Sequence, residues 1–194
     1  MRAVGITSQQ NGGVDELFPD APKGQAGYDK GEVRDFLNRA KRAYEGIDEG
    51  ITSSDIRQKV FTTNSKEGFD PYAVDQALWR LEEAFASRER EGVTEETGEA
   101  GYYKRIRQQA QEILDRVARP RTEKFRRAKP LRPGYHPVDV DAFCDRLVRY
   151  FQGQEAVSVA TVRNQKFRTR LGGYEESQVD RVLDDTVSVI LAVR

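Results

Sequence analysis

Residues 68–81 read GFDPYAVDQALWRL, and the same pattern occurs three more times: GYDKGEVRDFLNRA at 27–40, GYHPVDVDAFCDRL at 134–147 and GYEESQVDRVLDDT at 173–186. Each copy opens on a glycine and an aromatic residue: Gly27-Tyr28, Gly68-Phe69, Gly134-Tyr135 and Gly173-Tyr174. Six residues after each glycine stands a valine: Val33, Val74, Val140 or Val179. From that valine apolar or small residues recur at +3, +4 and +7, for example Ala77, Leu78 and Leu81, or Phe143, Cys144 and Leu147. This is the period of an amphipathic helix kept in register four times.

Start signals precede each stripe. Asp29 and Asp70 occupy N-cap positions, with His136 and Glu175 as weaker caps. Pro71 and Pro137 suit the first helical position, and Glu32 and Gln178 have the spacing of a capping box. The repeated glycine is read as a backbone conformation closed to other residues, one that folds the aromatic ring over the helix start.

The copies group in pairs. Copies two and four carry an upstream element, ITSSDIRQKVF (51–61) and VSVATVRNQKF (157–167), with Thr52 and Ser158 as N-caps of short helices. Copies one and three are preceded by Phe18 and Phe125. The plan is a disordered start (1–17), unit one (18–87), a linker with a basic amphipathic helix (88–124) and unit two (125–194). In the linker, REREGVTEETGEAG (88–101) reads as a loop and the residues after it as a helix ended by Pro120. The helix spaces Tyr103, Ile106, Ala110, Ile113 and Val117 as a two-heptad seam, too short to stand alone as a coiled coil and suited to packing on the units or on a partner chain. The fold class expected is all-α, built from short helices and helical hairpins.

Composition narrows the function. With 37% apolar and 33% charged residues the chain can bury only a thin core. Its longest apolar run, VSVILAV, is far too short for a bilayer, and no cleavable signal is evident. The single cysteine, Cys144, cannot form an intramolecular disulfide and fits a reducing cytosol. Net charge is zero, yet residues 1–100 hold 13 Lys/Arg against 20 Asp/Glu and residues 101–194 hold 19 against 12. Such opposite halves can attract within a chain or between chains.

Nothing in the pattern carries catalysis. The one histidine, His136, sits at a helix start; Cys144 lies on the apolar stripe; no metal-ligand cluster, phosphate loop or cofactor signature is present. The reading is a protein that is not an enzyme and has no cofactor. Residues 101–132, with 11 Lys/Arg against three acids, form a candidate basic patch: Lys104, Arg105, Arg107, Arg121, Lys124, Arg126 and Arg127. Three readings are open for it, in this order: docking on the acidic unit one, attraction to anionic lipid, and phosphate neutralisation on nucleic acid with Tyr102 and Tyr103 stacking on bases.

The run ITSSDIRQKVFTTNSKEGFDPYAVDQAL (51–78) resembles the N-terminal lipid-binding domain of the DivIVA family. The shared pattern is I-T-x-x-D-I-x-x-K-x-F, a short gap, then G-[YF]-D-x-x-x-V-[DN]-x-x-L. Unit two is a more diverged match, so the whole resembles the DivIVA-domain repeat proteins of actinobacteria. The resemblance implies a scaffold or adaptor of bacterial cell division or polar growth. It implies protein partners of the DivIVA or division-protein type, homo-oligomers, and a place in the cytoplasm at the inner face of the membrane, at septum or poles. It also implies that two motif copies pack together about a two-fold axis, here between unit one and unit two. Family scaffolds continue into a long coiled coil, and none follows the fourth copy. Family members place an apolar residue beside arginine before the glycine, to dip into the membrane. Unit one has Lys66 and Glu67 there, whereas unit two keeps Leu171 with Arg168 and Arg170, the candidate membrane contact. The alternative function is a soluble nucleic-acid-binding or regulatory module.

Overall fold

The computed structural model describes residues 17–48, 50–64 and 67–193, so the expected disordered start lies outside the described residues except for Leu17. The chain forms two compact units, one ending at Phe85 and the other beginning at Ala86. It is mostly helical. Unit one contains β1 (Gly27–Tyr28), α1 (Lys30–Tyr44), α2 (Ser53–Arg57), β2 (Thr63–Asn64) and the start of the long α3 (Pro71–Val117). Unit two takes the rest of α3, then β3 (Pro133–Tyr135), α4 (Pro137–Phe151), α5 (Val159–Arg163), β4 (Thr169–Leu171) and α6 (Glu176–Ala192). The expected all-α class therefore needs one correction: each unit also holds a two-stranded antiparallel ribbon, β1 with β2 and β3 with β4.

The four helices predicted from the repeats are α1, the opening of α3, α4 and α6, and their stripes are the cores. In unit one Val33, Phe36, Ala40, Ile56, Phe61, Phe69, Val74, Leu78 and Phe85 form a single buried cluster. In unit two Val140, Phe143, Cys144, Leu147, Val162, Tyr174, Val179 and Ile190 do the same. Asp29 caps α1 by accepting from the Glu32 amide at 2.9 Å, and Asp70 accepts from the Tyr72 amide at 3.2 Å. Thr52 makes a full capping box with Asp55, and Ser158 accepts from the Thr161 amide at 3.0 Å. His136 and Glu175 make no side-chain cap bond.

The capping boxes expected at Glu32 and Gln178 do not form. The Glu32 carboxylate reaches across to Thr62, accepting from its amide at 2.9 Å and its hydroxyl at 2.7 Å. Gln178 donates to Glu175 instead. A long-range partner that also anchors the neighbouring strand outcompetes the local one.

The linker is the larger correction. Residues 88–101 are helical, interrupted only at Gly98, whose φ of 71° and ψ of 162° no side-chain-bearing residue adopts readily. Three glycines and the lack of an apolar period suggest a loop, but Glu, Ala and Arg between them favour a helix. Across the break Arg90 donates to the Tyr103 hydroxyl at 3.0 Å and lies over the rings of Tyr102 and Tyr103. Tyr102, Ile106, Ile113 and Val117 are buried in the unit-two core. The seam is thus one wall of unit two, and 88–124 is no linker.

Candidate functional site

The conserved geometry of each unit is a crossing of two motif copies. In unit one the Tyr28 amide donates to the Phe69 carbonyl at 2.9 Å and the Phe69 amide returns the bond to Tyr28 at 3.0 Å. In unit two Tyr135 and Tyr174 exchange the same pair of bonds at 2.9 and 2.8 Å. A pairing of copies is therefore found within each unit, copy one with two and copy three with four. The glycines sit where the backbones touch. A Cβ on Gly27 would lie 2.6 Å from the Gly68 carbonyl carbon, and one on Gly134 would lie 2.2 Å from the Tyr174 oxygen. None of these four glycines has a positive φ. Their role is close backbone approach, which corrects the conformational reading of the sequence.

The crossing also explains the aspartate that follows the motif valine. The Tyr174 hydroxyl donates to Asp141 of the opposite copy at 2.9 Å. Tyr135 bonds Asp180 in the reciprocal direction, and burial together with that carboxylate pushes its phenol up to about 12. Tyr28 bonds Asp75 in unit one, and burial raises both groups. The fourth position of this pattern is vacated on both sides at once, with Phe69 for the tyrosine and Arg34 for the aspartate.

Outside the crossings lie the residues singled out from sequence. Leu171 is 62% exposed at the end of β4, opposite Pro133 of β3. Beside it the Arg132 carbonyl accepts from the Gly172 amide at 3.2 Å. The preceding residue, Leu131, is 86% exposed and holds a left-handed φ of 66°. Sequence reasoning missed Leu131; its flanking Pro130 and Pro133 were the available signal for a forced turn. Lys129, Arg132 and Arg170 are exposed around this tip. Arg168 is engaged elsewhere, gripping Asp139 with two nitrogens at 2.8 and 2.6 Å and holding that carboxyl down at about 2. The matching place in unit one includes Lys66, which lies outside the described residues, and an exposed Glu67.

The candidate basic patch is not one surface. Lys124 is buried, its ammonium donating to the Val117 and Arg119 carbonyls at the C-terminal end of α3 and lying 3.4 Å from Asp145. There it satisfies orphan carbonyls and the helix dipole. Arg121 pairs with Asp145, Arg126 with Glu175, and Arg127 lies over the Tyr174 ring. Only Lys104, Arg105 and Arg107 stand exposed together on a helix. Cys144 is buried, and burial pushes its thiol up to about 12.

No group of His, Cys, Asp and Glu suited to a metal ion occurs among the described residues. No helix among them is long and apolar enough to cross a membrane. Comparison with protein-family models, curated proteins and solved structures gives no match.

Proposed function

We propose that the chain is a non-enzymatic adaptor that rests on an anionic membrane surface through the unit-two tip and presents its helical units to partner proteins. The observation that carries this reading is the pair Leu131 and Leu171, both largely exposed at one end of the β3–β4 ribbon among Lys129, Arg132 and Arg170. Burying each leucine in acyl chain stabilises by about 1.5–3 kcal/mol, and each basic residue near an anionic surface adds about 1 kcal/mol. Leu131 supports the reading further, because a left-handed leucine costs roughly 1–2 kcal/mol that asparagine or glycine would avoid. Strain at an exposed apolar residue points to a use outside the fold. The resemblance to DivIVA scaffolds supplies the setting, at the inner face of a bacterial membrane at septum or poles, in division or polar growth.

The test is co-sedimentation with phosphatidylserine-containing vesicles of wild type, Leu131→Asn and Leu171→Ser. Wild type pellets, each variant loses most of its binding, and Leu131→Asn keeps full thermal stability. Wild-type protein that ignores vesicles but binds duplex DNA in a salt-sensitive way sinks the adaptor reading in favour of the nucleic-acid module, with Lys104, Arg105 and Arg107 as its surface.

A further inference from the structure

Unit two carries two grooves of opposite sign. One, of about 920 Å³, runs between the C-terminal part of α3 and α6 and includes Arg116, Arg119 and Arg181. These three side chains make no ion pair or hydrogen bond among the described residues. The floor between them is Ile113, Phe125 and Val182, all buried. The other groove, of about 270 Å³, lies at the Gly98 break and includes Glu91, Glu95 and Glu99 beside Tyr102 and Tyr103. These carboxylates are exposed and equally without a partner among the described residues. Glu91 and Glu95 share a helix face at i, i+4, as Arg116 and Arg119 do at i, i+3.

The two grooves cannot meet within their unit. Both are anchored on the same stretch of α3, and Tyr102 and Arg116 are about 21 Å apart along it at 1.5 Å per residue. No break in helical geometry separates them. A complementary pair on two distant patches of one body is matched only by another body. A compact polyanion suits the arginine groove poorly, because Glu112, Glu123 and Asp185 line it too. A helix with spaced carboxylates and uncharged residues between them suits it well, and Glu91–Glu95 offers one.

We infer that the arginine groove docks the Glu91/Glu95/Glu99 face of a second copy of this chain, so that copies join head to tail. Because the two patches differ, the contact is heterologous and each added copy exposes a fresh groove, giving open assemblies or closed rings rather than two-fold dimers. Assembly of this kind needs no coiled coil. Exposed ion pairs are individually weak, so the association is reversible and salt-sensitive. The inference is independent of the membrane tip, and Leu131→Asn and Leu171→Ser leave it untouched.

Sedimentation velocity of the full chain tests it, at low ionic strength and at about 1 M salt, where the screening length falls to about 3 Å. The wild-type sedimentation coefficient rises with concentration at low salt and returns to the monomer value at high salt. The triple variant Arg116→Glu, Arg119→Glu, Arg181→Glu stays monomeric, as does Glu91→Lys, Glu95→Lys, Glu99→Lys, and an equimolar mixture of the two associates again. Circular dichroism checks that both keep wild-type helix content, and Arg→Gln at the same three arginines provides a neutral second variant. Wild type that remains monomeric at low salt overturns the inference, including the case where its arginine groove captures an oligonucleotide. So does association that survives in either charge-reversed variant.

Discussion

Units one and two share a plan but place their buried polar groups differently. Unit one buries an ion pair, with Arg57 Nε 2.7 Å from Glu82 Oε1 and Glu82 almost fully enclosed. The corresponding residues in unit two are Arg163 and the buried Val187. Unit two instead buries Asp141, which accepts from the Tyr174 hydroxyl at 2.9 Å and from the Thr122 amide at 2.8 Å. There unit one has Arg34 and Phe69. The crossing tolerates either arrangement because each replaces donor and acceptor together. Removing one partner alone leaves a desolvated group behind, and this rule separates harmless divergence from damage. The tips differ in the same spirit: apolar and basic at Leu131 and Leu171, polar around Glu67.

The comparison can be broken most forcefully at Glu82. Glu82→Ala strips Arg57 of its carboxylate and destabilises unit one by about 3–5 kcal/mol. The only tryptophan, Trp79, lies in unit one, so urea unfolding followed by its fluorescence reads this directly. Glu82→Val with Arg57→Met, which removes both partners, costs much less; an equal cost for both would show that packing rather than pairing matters there.

Next in size is the backbone crossing. Gly173→Ala brings a Cβ to within 2.4 Å of the Gly134 oxygen, and the overpacking costs unit two about 3 kcal/mol. Gly68→Ala does the same to unit one. The Trp79 signal shifts only for the second of these if the units unfold independently. Circular dichroism follows the first.

A smaller effect tests the phenol–carboxylate pattern. Tyr174→Phe leaves Asp141 with the Thr122 amide as its remaining partner and costs about 1.5–3 kcal/mol. Phe69→Tyr in unit one gains nothing, because Arg34 stands where the acceptor would be. Alkaline titration sharpens the same point. Tyr135 has a folded pKa raised to about 12, so its contribution is complete below the unfolded value near 10. It is lost as pH rises from there through about 12. Tyr174 is raised as well, by burial and Asp141, whereas unit one has only Tyr28 in such a bond. Unit two therefore loses stability more steeply above pH ~10, measurable as denaturation midpoints against pH with Tyr174→Phe as control.

The smallest effect lies at acid pH. Arg168 holds Asp139 down at about 2, so its contribution is present above the unfolded value near 3.9. It disappears as pH falls through about 2. Glu32 of unit one is lowered by its bonds to Thr62 rather than by a cation. Arg168→Ala flattens the acid limb for unit two, read by circular dichroism, and leaves the Trp79 transition unchanged; movement of the Trp79 signal would tie the two units together.

The sequence by itself determined the helices, most of their caps and the apolar stripes that became the two cores. These are local consequences of a 3.6-residue period and of side chains that bond the next few amides, so they can be read in a window of a dozen residues. It also exposed the repeat, and with it the pairing of copies into units. Only the tertiary structure decided what the repeated glycine and aspartate are for. Gly134 and Asp141 act on Tyr174, a residue more than thirty positions away in sequence, and no periodicity encodes that meeting. The linker failed for a related reason: residues 88–101 lack a stripe, and helix there is fixed by Arg90 and Val93 packing back across Gly98. Lys124 looked like surface charge and is buried because its ammonium closes the end of a helix. Charge in a sequence says that a side chain needs a partner; the fold alone says whether that partner is water, a carbonyl or another chain.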